Sequence, residues 1–348
     1  MGPTRRRLVI AGSLAAPVVA RAQRPAAITI AAPGGVFEQV FQTAVIDPFR
    51  RQRPEIAVYY YAVSNPAQTL SLLRQRMEPA QFDVVILSPR IGRSATRDGL
   101  LDPLTADGVP AREELVPAAQ VADMAGCIAM VDCLAMPHVP AVSRPDMASW
   151  RLLWDDRTRR IAIPAAPEPV GIALTMIASR LFGQGDDQQS LAGGITALRH
   201  IAPRVVSWHP RPDVFDYLID DLAAFGIGWN SIGQVRARRN TERLRMALPR
   251  DVTFRDAHTI HLVKGSARAE AARSFVNHVL GAEAQSRLAE SLCMTPVNPR
   301  ARISAEASTR LLPLEDPSRP ILTVDSPEID ALRSRIVDGW RSQVLRPR

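Results

Sequence analysis

Two backbone features of this chain could hold an anion. Gly34 and Gly35 follow Pro33 where an apolar run over 27–32 gives way to a helical pattern, and Gly171 opens a second helical pattern after a proline-rich turn. Bare N–H groups at a helix start attract negative charge. His258 and His261 raise the question of a metal. On an extended strand, however, residues three apart face opposite sides, and a zinc site needs three or four converging ligands. Motifs for covalent chemistry do not accompany them. The sequence holds no Gly-x-Ser-x-Gly, no Ser-x-x-Lys and no His-Glu-x-x-His. Gly183, Gly185, Gly193 and Gly194 read as loop glycines, without the strand and helix context of a nucleotide site. A catalytic triad is defined by geometry and leaves no such motif, so an exported hydrolase is kept as an alternative. The expectation is a protein that binds without reacting and needs no cofactor.

The elements that position these residues alternate in type. Strand patterns at 27–32, 56–63 and 83–87 are separated by helical ones, the first carrying Val36, Val40, Phe41 and Val45 and closed by Pro48, the second running from 65 to 76. Strand, helix, strand, helix, strand is the signature of a parallel sheet with crossover helices. Ligands of such sheets sit beyond the carboxyl ends of the strands, which puts Pro33, Gly34 and Gly35 on one rim with Ser88 and Arg90. The alternation resumes with strands at 160–164, 204–208, 225–229 and 253–263 and helices at 169–182, 213–223, 267–280 and 283–292. Trp229 ends an apolar strand and is followed by Asn230 and Ser231, which places it at a rim. The fold class is α/β, two lobes joined by extended crossovers.

Residues 1–22 have the layout of a cleaved export signal: Arg5, Arg6 and Arg7, a short apolar run, and Ala20-Arg21-Ala22. The run is shorter than the ~20 residues of a membrane span, and paired arginines before a weakly apolar stretch suggest the twin-arginine route. Apolar and charged contents of 46% and 22% are those of a globular protein. The formal charge of +8 becomes +4 without Arg5, Arg6, Arg7 and Arg21. Lys264 is the sole lysine, and no basic stretch interleaves with aromatics as a stacking platform for nucleic acid would. The cluster Arg236, Arg238, Arg239 reads as a solvated helix face. Cys127 and Cys133 lie six apart on a strand, about 20 Å, too far for a disulfide.

Four segments resemble the periplasmic solute-binding proteins of ABC importers, in the group that includes spermidine and putrescine receptors. Residues 28–49 resemble that family's opening strand, Gly-Gly turn and helix ending in Asp-Pro-Phe. Residues 154–174 resemble the start of its second lobe, 225–230 (FGIGWN) the strand whose Trp ends in the cleft, and 272–298 its late helix pair. The resemblance implies a type II two-lobed fold, with residues 24–134 and 259–304 in one lobe and 135–258 and 305–348 in the other. It implies a monomer in the periplasm that closes on a small-molecule ligand by hinge motion and serves an inner-membrane ABC permease. It also implies site residues. Asp256 and Glu168 match carboxylates, Trp229 and Phe254 aromatic walls, and Ser88 a polar contact, the set that would hold an amine. Ala165 stands where the family has a further acid, and Pro33 where it has an aromatic. Arg255 neighbours Asp256 but faces the other side of a strand. With Arg90 and the helix starts, it leaves a small carboxylate as the competing ligand, and a membrane sensor as the competing partner. A polyamine-like amine is favoured.

Overall fold

The computed structural model describes residues 26–142, 149–185, 187–314, 321–323 and 326–345. The expected export signal lies outside them. Among the described residues, thirteen strands form one sheet: β1 (Ala26–Pro33), β2 (Ile56–Val63), β3 (Val84–Leu87), β4 (Leu101–Asp102), β5 (Cys127–His138), β6 (Ile161–Ala162), β7 (Val205–Ser207), β8 (Phe225–Gly226), β9 (Gly228–Trp229), β10 (Arg245–Ala247), β11 (Thr253–Val263), β12 (Thr295–Pro296) and β13 (Ile321–Thr323). The main order is β2-β1-β3-β11-β5-β8-β6-β7. Its flanks are parallel, β1 with β2 and β3, and β6 with β7 and β8. Between them β11 and β5 run antiparallel to each other and to β3 and β8, their neighbours in that order.

Strand alternation decides how each flank is covered. On β1, Ile28, Ile30 and Ala32 enter one core and Ala31 another; on β3, Val84 and Ile86 enter the first and Val85 and Leu87 the second. Both faces of these strands are therefore roofed, as parallel sheets require. The other flank has its own core, built on Ile161, Ile163, Phe225 and Ile227 and filled by Trp150, Leu174 and Trp340, with a smaller cluster around Phe215 on its other side. Trp340 is wholly buried, donates to Thr175 Oγ1 at 2.7 Å and meets the Trp208 ring edge-on at 5.1 Å.

Two strands belong to both halves. On β5, Cys127, Ala129, Met130 and Val131 lie in the first core and Leu134 and Met136 in the core of the other flank; on β11, Ala257, Ile260 and Leu262 lie in the first and Phe254 in the other. The chain therefore changes cores between Val131 and Leu134 on one strand and between Phe254 and Ala257 on its neighbour. This is a two-lobed α/β architecture with its crossing in the middle of one long antiparallel pair.

Three local expectations need correction. The first helix does not close at Pro48: it passes from Val36–Phe41 through a π-helical turn, Gln42–Ile46, into Asp47–Gln52, with Pro48 in the first turn of the last segment. A wider π turn accommodates the proline's missing N–H, and continuing the helix buries Phe49 against Phe275, edge-on at 5.1 Å. Gly193 and Gly194 are not in a loop but inside the Asp187–Ile201 helix, where a β-carbon on Gly194 would fall 2.3 Å from Ser179 Oγ of the neighbouring helix. Close helix approach requires the glycine there. The arginine cluster is not a plain solvated face either. Arg236 pairs with Asp213 at 2.8 Å and Asp216 at 3.1 Å, and Arg238 donates to the carbonyls of Glu290, at 2.9 Å, and Ser291.

Candidate functional site

The crossing point carries the acids. Asp256 on β11 stands directly opposite Asp132 on β5, so the two side chains share a face, with β-carbons about 5 Å apart. Asp256 is half-buried. Asp132 is 4% exposed, and its carboxylate accepts from the backbone N–H of Cys133 at 2.8 Å, from that of Ser231 at 3.1 Å and from the Ser231 hydroxyl. Burial pushes its pKa up to about 6, against the pull of the Ser231 and Cys133 hydrogen bonds, which favour the ionised form. Asp132 was not among the sequence-derived candidates. The available signal was an isolated acid inside an otherwise apolar strand.

Trp229 lies beside this pair. It faces Leu134 of β5 across the ladder, is half-buried against the core of its own lobe, and immediately precedes the Asn230–Arg239 helix. Asn230 is wholly buried; its side chain donates to the carbonyls of Cys293 at 3.3 Å and Arg310 at 2.8 Å and accepts from Gln234 at 3.1 Å. Those bonds make Asn230 a brace between distant segments. Phe254 is wholly buried in the core with Trp150 and Ile163, backing the crossing strands. Arg255, one residue before Asp256, turns to the other face, where its guanidinium donates to the Leu314 carbonyl and it lines a groove with Val131, Ala257 and Val297.

The remaining candidates sit at the ends of parallel strands. Pro33, Gly34 and Gly35 end β1; the Tyr60 hydroxyl donates to the Pro33 carbonyl, and Gly35 has φ of 71°, a left-handed conformation that suits glycine. Ser88 ends β3 at the cap position of the Pro89–Arg97 helix, half-buried, with Arg90 exposed on the first turn. On the other lobe Glu168 caps the Pro169–Phe182 helix by position, without a side-chain cap bond, and its carboxylate lies 3.8 Å from His209 Nδ1 and 3.9 Å from Arg211. Gly171 lets that helix start against the backbone before it, since a β-carbon would come within 2.2 Å of the Ala166 nitrogen. Ala165 is wholly buried in the core.

His261 is wholly buried and His258 half-buried against the core. His258 stacks on Phe37 at 5.7 Å, and His261 Nε2 pairs with Thr259 Oγ1 at 2.8 Å. Burial lowers their pKa values to about 4 and about 3. Among the described residues no three His, Cys, Asp or Glu converge as a metal site would require, and no helix is long and apolar enough to cross a membrane.

Two lobes meeting on a pair of crossing strands are the architecture of two-lobed solute-binding proteins. Solved structures share that fold. An ABC transporter protein from Clostridium perfringens superposes with a TM-score of 0.67 at 19% identity, over 91% of this chain and 99% of that one. The AgtB binding protein of A. tumefaciens R10, solved with agropinic acid, gives 0.73 at 15%, over 92% and 99%. The spermidine/putrescine binding protein PotD of Streptococcus pneumoniae gives 0.73 at 15%, over 91% and 98%. No curated protein sequence matches significantly. A family model matches residues 28–291, and the chain belongs to that family, the bacterial extracellular solute-binding proteins. It is thus a substrate-binding component of the ABC-transporter type.

Proposed function

We propose that this protein captures a small amine-bearing solute between its lobes in the periplasm and presents the closed form to an inner-membrane ABC permease. No bond is made or broken; closure about β5 and β11 excludes water and changes the surface the permease meets. The observation that carries the reading is the placement of Asp256 opposite Asp132, where the chain passes from one core to the other. A cation drawn to Asp256 sits at the axis of closure, with the Trp229 ring beside it for cation–π and methylene contact. Glu168 and Ser88 contribute from opposite rims, and the Pro33–Gly34–Gly35 turn offers backbone groups.

A second reading has its own support. Arg211 and His209 stand near Glu168, and Arg90 is exposed at the facing rim. A solute carrying a carboxylate as well as an amine suits the cations at His209 and Arg211, its acid toward them. The structural neighbours include a spermidine/putrescine protein, a GABA receptor and a protein holding agropinic acid, which accords with a site adaptable in charge. The test is a thermal-shift screen of the protein lacking residues 1–22 against diamines, amino acids and small carboxylates. A solute at 100 times its dissociation constant adds about 2.7 kcal/mol of stability. Stabilisation by amines that disappears in Asp256→Asn supports the reading; stabilisation by carboxylates alone, unchanged in Asp256→Asn, overturns it.

A further inference from the structure

The Asn230–Arg239 helix begins without a cap of its own. The residue in the cap position is Trp229, which has no side-chain oxygen to accept the first N–H groups. A helix start leaves four such donors without intrahelical partners. One is met from elsewhere in the chain: the Ser231 N–H, with the Ser231 hydroxyl, goes to the carboxylate of Asp132, 99 residues away on β5. The far end of the helix is tied to the helix Ala282–Leu292, where Arg238 takes the carbonyls of Glu290 and Ser291.

We infer that Asp132 is a positioning residue, whose carboxylate ties the crossing strand to the start of the Asn230–Arg239 helix, holds the Trp229 ring in place, and loosens that tie on taking up a proton. The ring's contact with a solute rests on the function proposed above; the tie does not. Three donors converge on the carboxylate: the Cys133 and Ser231 N–H groups and the Ser231 hydroxyl. An ionised carboxylate accepts all three. A carboxylic acid carries a donor of its own and must give up at least one acceptor position. The surroundings balance the two forms. Burial opposes the charge and the three donors favour it; Asp256 is the titratable group across the ladder. Of the other titratable groups nearby, Cys293 lies on the helix side with Arg238, Arg310 and Glu290 beyond it, and Arg255 projects from the opposite face of β11. The balance falls at about pH 6, within the range a cell exterior experiences.

The experiment is an NMR titration of the ligand-free protein from pH 4.5 to 8, following the Ser231 amide and the Trp229 indole N–H. Both resonances are expected to shift with one common midpoint near pH 6. In Asp132→Asn, which keeps an amide oxygen to accept from Ser231, both are expected to lose the transition while the rest of the spectrum stays native. In Ser231→Ala the Trp229 midpoint is expected to rise, because a bond favouring the ionised form is gone. A Trp229 signal that stays flat while Ser231 titrates overturns the inference, as does an unchanged titration in Asp132→Asn. Solute binding is measured separately on the same samples. A protein that binds no amine but whose Trp229 follows Asp132 overturns the proposed function alone; an amine binder whose Trp229 ignores Asp132 overturns the tie alone.

Discussion

Replacing Asp132 with Asn should change how stability depends on pH, and the size and sign of the change can be worked out. The Asp132 carboxyl titrates at about 6 in the folded protein against 3.8 ordinarily, because burial penalises its charge. Below pH 3.8 the group is protonated whether the chain is folded or not. Between 3.8 and 6 the unfolded chain gives up the proton first, so folding grows less favourable as pH rises, and above 6 the loss is complete. Roughly two pH units correspond to about 3 kcal/mol. An asparagine carries no charge in either state, so its curve lacks this descent. The difference in unfolding free energy, variant minus wild type, should therefore climb by about 2 kcal/mol between pH 4 and pH 6.5, most of the full span. The offset of that difference depends on how well the amide meets Ser231, but the climb does not. Urea melts at half-unit pH steps measure it, because titrating groups away from residue 132 cancel in the subtraction. Parallel wild-type and variant curves over this window would refute the reasoning, since the buried charge would then carry no net penalty.

Other substitutions probe the frame around the site. Gly171→Ala places a methyl 2.2 Å from the Ala166 nitrogen; chemical denaturation should show a loss of at least about 3 kcal/mol, the upper range for an overpacked site. Gly35→Ala meets open space but keeps φ of 71° and ψ of −132°, a region that glycine alone adopts readily, so the loss should be about 1–3 kcal/mol. Trp340→Ala removes a wholly buried ring with its bond to Thr175; equilibrium melts should give about 3–5 kcal/mol. Arg238→Ala frees the far end of the Asn230–Arg239 helix from the Glu290 and Ser291 carbonyls, and hydrogen exchange should rise at 286–293 while residues 169–182 stay protected.

Sequence patterns that repeat within one element were legible. Thr253–Val263 is a strand with the expected bounds, and the late helix pair lies at Ala269–Leu280 and Ala282–Leu292, within two residues of expectation. Both follow from local periodicity, which needs no partner to be read. What escaped depends on partners far along the chain. The expected strand over 225–229 is two short strands parted at Ile227, because Phe225 pairs with His138 while Gly228 and Trp229 pair with Ala135 and Leu134. Arg236 looked like a solvated charge until Asp213 and Asp216 came beside it. Asp132 was hidden for the same reason. An acid in an apolar strand is readable as an oddity, but Ser231, which gives it a purpose, lies 99 residues away. Pro48 misled differently, since a π turn before a proline has no sequence signature of its own.

The C-terminal helix has a consequence for how the molecule is made. The core holding Trp150, Ile161 and Phe225 is finished by Ile329, Ile336, Trp340 and Val344, which leave the ribosome after every other residue of that core. The core holding Ile28, Val84 and Phe275 already has its members once Val297 has emerged. One lobe can mature during synthesis, whereas the other stays unsealed until translation ends. A nascent chain cut short before residue 326 would carry one finished lobe and one with an exposed seam.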